Sequence, residues 1–236
     1  MNTTDDNNNR RVFGVLGGMG PLASAEFLRT VYQYSVEERE QNAPIVLLYS
    51  DPTVPDRTEA LLDGRSKTIL DQLIRSLHRL FEFGVSKAMI CCVTAHYLFD
   101  QLPAQLRENV ISLVDVVFEE LAQRREPQLL LCTNATRQLR IFQDHPGWKR
   151  CEDYVVLPAP ADQELIHHEI IYALKQNRDL DQVSAQVHAL LARYQIDSFI
   201  AGCTELHLVA RHAAANPFRV LDPLTILAED IATHGI

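Results

Sequence analysis

The chain has 236 residues, 47% hydrophobic and 22% charged, which is enough for one large or two small domains with real cores. Its formal charge is −9 with no Arg/Lys cluster or basic stripe, which argues against nucleic acid as a partner and leaves any anionic ligand to individually placed cations. No apolar run approaches the roughly eighteen residues that cross a bilayer, and the polar opening MNTTDDNNNRR lacks a signal-peptide core. The expectation is therefore a cytoplasmic protein, with no membrane partner and with residues 1–10 disordered.

Short apolar, β-branched runs then alternate with longer amphipathic stretches, the pattern of β-α units around a parallel sheet. Strands are predicted at Val12–Leu16, Ile45–Tyr49, Ser86–Cys91, Val110–Val114, Leu129–Leu131, within 153–158, at Ser198–Ala201 and at Val220–Leu221. Helices are predicted over Ala23–Val36, Ser66–Phe83, Pro103–Glu108, Val116–Arg124, Ala161–Lys175, Leu180–Tyr194 and Leu224–Thr233. Asp115 and Asp222 read as N-caps, with Pro223 suited to the first helical position. VISLVDVVFEELA (110–122) and FRVLDPLTILAED (218–230) share one pattern, an apolar run, an Asp and an apolar-periodic helix. This internal repeat predicts an α/β protein of two pseudo-symmetric parallel-sheet lobes, flavodoxin- or Rossmann-like, with the active site in the cleft between them. The first lobe is assigned residues 1–112 plus 217–236, the second 113–216.

Two further stretches match across the halves. MICCVTAHYLFDQL (89–102) and FIAGCTELHLVARH (199–212) each run from an apolar strand into a Cys, a polar residue and a His four positions after the Cys. A thiol at the C-terminal end of a parallel strand meets free N–H groups and the positive end of a helix dipole, and both favour the thiolate. Two such thiols facing each other, Cys92 and Cys203, suit proton removal from one face of a carbon and delivery to the other. That is racemisation or epimerisation, for which a thiol pKa moderately below ~8.5 is well placed. The same positions serve equally for cysteines that simply fill the ends of core strands. Cys91 is expected to point into the core, Cys132 is open, and Cys151, in KRCED, is expected at the surface. His96 and His207 are candidate modulators of the thiols, with packing or capping as the alternative. Adjacent His167 and His168 face apart on a helix, and no metal-ligand spacing is present, so no metal is expected. An odd count of five cysteines without a CxxC pair argues against a disulfide framework.

Five segments in order resemble the aspartate/glutamate racemase family, in particular its aspartate racemase branch: GVLGGMGP (14–21), SDPTVPDRT (50–58), CCVTAH (91–96), LLLCTNAT (129–136) and AGCTEL (201–206). The resemblance implies cofactor-independent racemisation of L- and D-aspartate, with Cys92 and Cys203 as the acid/base pair. It implies that Arg57 and Lys175 bind the side-chain carboxylate and that Thr94, Thr133, Thr136 and Thr204 hold the α-carboxylate. Met19, in the Gly-rich loop, is expected to touch substrate. The partner is then a small acidic amino acid, and the family suggests a homodimer. Val93 stands where the family commonly has Asn, and His207 where Pro is frequent.

Other readings compete. Gly18, Gly20 and Ala23 after a strand, with Asp51 ending the next, fit a dinucleotide-binding oxidoreductase, although Pro21 follows the last Gly. Within the superfamily, glutamate racemase, hydantoin racemase, maleate isomerase and arylmalonate decarboxylase are alternatives, the last disfavoured by the second cysteine. A non-catalytic binding protein for acidic amino acids is the reading from another class.

Overall fold

The computed structural model describes residues 11–35, 40–212 and 219–234; the expected disorder of 1–10 lies outside the described residues. Strands β1 (Val12–Gly17), β2 (Ile45–Ser50), β3 (Val85–Ile90) and β4 (Val110–Ile111) form one sheet in the order β2-β1-β3-β4. Strands β5 (Gln128–Cys132), β6 (Val155–Val156), β7 (Ser198–Gly202) and β8 (Arg219–Leu221) form a second, in the order β6-β5-β7-β8. Every pairing is parallel, and the two orders are the same topology used twice. In each sheet the first strand lies between the second and third. The chain therefore switches direction across the sheet between β1 and β3, and again between β5 and β7. Open α/β sheets bind ligands at such points.

The period-two alternation of strand side chains divides the core into three. Phe13, Val15, Met89 and Cys91 from the first sheet meet Leu130, Cys132 and Ile200 from the second in one central cluster. Helices Pro21–Ser35, Leu113–Arg124 and Pro223–His234 contribute Phe27, Phe118 and Leu227 to that cluster and pack on one another. On the opposite faces, Leu16, Ile90 and Cys92 join the first lobe's outer core under Ser66–Glu82, while Leu129, Ala201 and Cys203 join the second lobe's under Leu180–Tyr194. Each buried Leu, Ile or Phe contributes about 1.5–3 kcal/mol. The lobes are thus held together by a shared core.

Several expectations are corrected. Within the described part of the 217–236 stretch, Arg219–Leu221 pairs with β7 in the second sheet, whereas Pro223–His234 packs on Pro21–Ser35 of the first lobe. The strand expected to run from Val110 to Val114 stops at Ile111, because Ser112 caps a helix that starts at Leu113. The Ser112 hydroxyl accepts the Asp115 N–H at 3.1 Å, so Ser112 is the N-cap and Asp115 sits in the first turn, its carboxylate on His145 Nε2 at 2.8 Å. We expect Ser112→Ala to lower stability by about 1 kcal/mol in urea unfolding, and Asp115→Ala by clearly less, since its ion pair is half-exposed. Asp222 does cap Pro223–His234, accepting from Leu224 N at 3.1 Å and Thr225 N at 3.3 Å. Cys151 is fully buried, its thiol directed at the Phe118 carbonyl, while the charged residues around it point outward.

Candidate active site

The loop after β1 is shaped by Gly18, whose φ of +90° and close approach to Asp51 leave no space for a side chain; a Cβ there would lie 2.3–2.5 Å from Asp51 backbone atoms. Buried Ser24 accepts the Gly18 N–H at 3.3 Å and donates to the Pro21 carbonyl at 3.0 Å, tying the loop to the helix it opens. Arg57 begins the Arg57–Leu62 helix, whose N-cap Asp56 accepts the N–H groups of Thr58 and Glu59. The Arg57 fork is turned on the main chain. Nη1 donates to the Val54 and Pro55 carbonyls at 3.0 and 2.9 Å, and Nη2 to the Met19 carbonyl at 2.8 Å; Nε is the buried donor left without a protein partner. Met19 is 1% exposed and packs in the outer core, so it meets the site through its carbonyl, not its thioether.

From the second lobe comes Lys175. The helical run from Pro160 to Lys175 contains a π segment, Ile166–Ile171, and such insertions re-aim side chains near functional sites. Lys175 Nζ lies 3.1 Å from Asp56 Oδ2 across the cleft and 4.3 Å from the centre of the Tyr172 ring. Burial alone would lower the lysine pKa, but Glu205, Cys203 and Asp56 outweigh it and raise it. Burial likewise pushes the Asp56 carboxyl up, yet Lys175 and the helix-cap N–H groups hold it below the usual carboxylate range.

The threonines gather at the seam. The hydroxyls of Thr94 from the first lobe and Thr133 and Thr136 from the second form a triangle with all three edges 3.0 Å. Thr133 is also the N-cap of Asn134–Gln138, accepting the Thr136 N–H. Thr204 Oγ1 lies 3.4 Å from the Cys91 carbonyl and equally far from Glu205 Oε2, so the two strand ends meet there.

Cys92 and Cys203 are 5% and 4% exposed. A cavity of about 270 Å³ opens between the lobes, lined by Gly20, Asp56, Arg57, Leu174, Lys175 and Glu205 among others. Neither sulfur is on its wall, but each lies against a residue that is. The Arg57 guanidinium is beside Cys92, and Cys203 Sγ donates to Glu205 Oε2 at 2.8 Å. Burial, and then the Glu205 charge, push the Cys203 thiol well above its ordinary pKa, with Lys175 pulling the other way. Burial raises Cys132 to about 12, consistent with a packing thiol.

His96 is bonded to the backbone and His207 to two side chains. His96 Nε2 accepts the Leu113 N–H at 3.0 Å, so Nδ1 carries the proton and donates to the Cys92 carbonyl at 2.9 Å. Burial depresses its pKa to about 4, and the neutral ring fixes the turn that presents Cys92. His207 is fully buried between Asp222 Oδ2 at 2.5 Å and Thr30 Oγ1 at 3.0 Å. Among the described residues no group of three or more His, Cys, Asp or Glu has a metal-binding arrangement.

The profile of the Asp/Glu/Hydantoin racemase family matches residues 16–231. The chain belongs to this family. As a member of the Asp/Glu/Hydantoin racemases it is 24% identical to the broad specificity amino-acid racemase RacX of Bacillus subtilis, over 92% of this chain and 95% of that one. Its fold is that of the Picrophilus torridus aspartate racemase, with a TM-score of 0.80 at 24% identity, covering 94% of each chain. The Campylobacter jejuni glutamate racemase is also similar in fold, with a TM-score of 0.62 at 15% identity over 93% of this chain and 84% of that one. The structure puts Arg57 and Lys175 on the cavity wall, joins the hydroxyls of Thr94, Thr133 and Thr136 across the lobes, and sets Thr204 beside Glu205. Sequence reasoning gave no role to Asp56 or Glu205. Asp56 was legible as the N-cap before Arg57; Glu205 stood inside the quoted AGCTEL, but its partner Gly20 is found only in the fold.

Proposed function

We propose that this racemase interconverts the L and D forms of an acidic amino acid, aspartate first, by proton transfer between Cys92 and Cys203. The observation that carries the reading is the equivalence of the two thiols. They follow corresponding strands, β3 and β7, of two copies of one topology, and each backs onto the same inter-lobe cavity. The thiolate of one removes the α-proton, and the thiol of the other delivers its own proton to the opposite face of the carbon. In this reading the hydroxyls of Thr94, Thr133 and Thr136 exchange their mutual bonds, and Thr204 its bond to the Cys91 carbonyl, for the α-carboxylate, where charge grows as the proton leaves. Lys175 and the free Nε of Arg57 meet the distal carboxylate. No step calls for a cofactor.

A second reading, broader amino-acid specificity, draws on the same arginine. Its Nη groups are committed to backbone carbonyls, so the bidentate grip that would enforce an acidic side chain is not preformed. The Bacillus relative, a broad specificity amino-acid racemase, agrees with that reading.

The test is incubation of the full chain in heavy water, without added cofactor, with L-Asp, L-Glu and L-Ala in parallel. We expect α-deuterated D-Asp to form, by NMR and chiral chromatography, faster than the other two products. Comparable rates with L-Ala would favour the broad reading. Absence of exchange with all three would overturn both.

A further inference from the structure

Glu205 takes no part in the scheme above, yet its carboxylate bonds directly to the Cys203 sulfur. Its Oε2 accepts the Cys203 S–H at 2.8 Å. The residue is 2% exposed, and its Oε1 has no hydrogen-bond partner and faces Gly20 on the cavity wall; a Cβ on Gly20 would lie 2.6 Å from it. Away from water, a thiolate and a carboxylate at this separation repel too strongly for both to be charged. The paired carboxylates of aspartic proteases follow the same rule.

Resting on the racemase reading, we propose that Glu205 takes the thiol proton of Cys203, so that the Cys203 thiolate forms only beside a protonated Glu205. The S–H bond breaks with its electron pair left on sulfur, and an O–H bond forms on Oε2. The thiolate then takes the substrate α-proton, and Cys92 gives its proton to the other face of the carbon. At the end Cys203 is again a thiol, Glu205 holds a proton and Cys92 is a thiolate, so protons are conserved. That end state is the starting state for the reverse reaction. Cys92 removes the α-proton, Cys203 donates, and Glu205 returns its proton to sulfur.

The groups facing the pair fit this. Lys175 comes from the second lobe, Arg57 from the start of its helix, and Cys91 and Cys92 from the end of β3; Asp56 neutralises part of the lysine charge from across the cleft. The cations favour one negative charge on the Cys203–Glu205 pair. A second would have to form 2.8 Å from the first. The Thr204 hydroxyl, 3.4 Å from Oε2, is placed to hold the carboxyl in either state.

The test is Glu205→Gln, which keeps the shape but cannot take a proton, measured two ways. The Cys203 thiolate is followed by its ultraviolet absorbance between about pH 6 and about pH 10, taken as the difference from the same chain carrying Cys203→Ala. Removing the neighbouring charge is expected to lower the midpoint by about one pH unit or more. Exchange of the substrate α-proton is expected to fall about 100-fold. An unmoved midpoint, or exchange within about threefold of wild type, overturns the proposal. Glu205→Asp guards against misfolding of the Gln variant: it keeps a carboxylate and is expected to retain the high midpoint, and a midpoint as low as that of an isolated thiol, ~8.5, also overturns it. The titration needs no substrate. A chain that racemises nothing but shows the shift therefore refutes the racemase reading and not the coupling of the two groups.

Discussion

Cys92→Ala and Cys203→Ala are each expected to lower racemisation by about 1000-fold or more, while each keeps a different half of the proton exchange. Racemisation needs a base on one face of the α-carbon and a proton donor on the other, and alanine is neither. The thiol that remains can still remove and return a proton on its own face. In heavy water each single variant should therefore label one enantiomer at the α-position without inverting it, and the two variants should label opposite enantiomers. The substitutions remove one buried sulfur from a well-packed strand end, so folding should survive them at a cost of about 1 kcal/mol. Labelling of both enantiomers by either variant would mean that some other group serves as a base, and the two-thiol scheme would fail.

The parts of this site that could be read in advance are those whose physics is local. Parallel strands announce themselves as unbroken apolar runs, and all eight among the described residues match an expected strand to within a few residues. A helix of one turn or two has no periodicity to detect, which is why Arg57–Leu62, Trp148–Cys151 and the 3-10 segment Thr94–Gln101 have no counterpart among the predicted helices. At VISLVD a strand and a helix share one apolar run, parted only by Ser112, and Asp115 is the more conspicuous cap in the sequence. Cys151 misled through its charged neighbours. The internal repeat predicts two lobes of like topology, and the identical strand orders bear this out. The turning of Arg57 onto Met19, Val54 and Pro55, and of Glu205 onto Cys203 and Gly20, depends on how the two lobes close on each other. No run of neighbouring residues encodes that.

Asp222→Ala is expected to cost about 3–5 kcal/mol, the largest stability loss we foresee for a residue outside the cavity wall. Asp222 is 3% exposed and holds four groups at once: His207 Nδ1 at 2.5 Å, the N–H groups of Leu224 and Thr225, and the Thr225 hydroxyl at 2.7 Å. Alanine would leave the buried His207 Nδ1 and Leu224 N–H, and the part-buried Thr225 groups, without this acceptor. Through His207 Nε2 and Thr30 the same network joins the Leu206–Arg211 helix of the second lobe to Pro21–Ser35 of the first. Burial pushes the Asp222 carboxyl up, but His207 and the Thr225 and Leu224 donors outweigh it and hold its pKa below the usual range. A depressed native pKa stabilises the fold fully above the unfolded value of about 3.9, and that contribution is lost as pH falls through the lower native one. Wild type should thus lose more stability between about pH 5 and about pH 3 than Asp222→Asn, which has no carboxyl to protonate. Urea unfolding at neutral pH and in acid reads both effects as shifts in midpoint at constant slope. A loss under about 1 kcal/mol for Asp222→Ala, or parallel acid profiles for wild type and Asp222→Asn, would show that the lobes are coupled through the shared apolar core and not through this buried network.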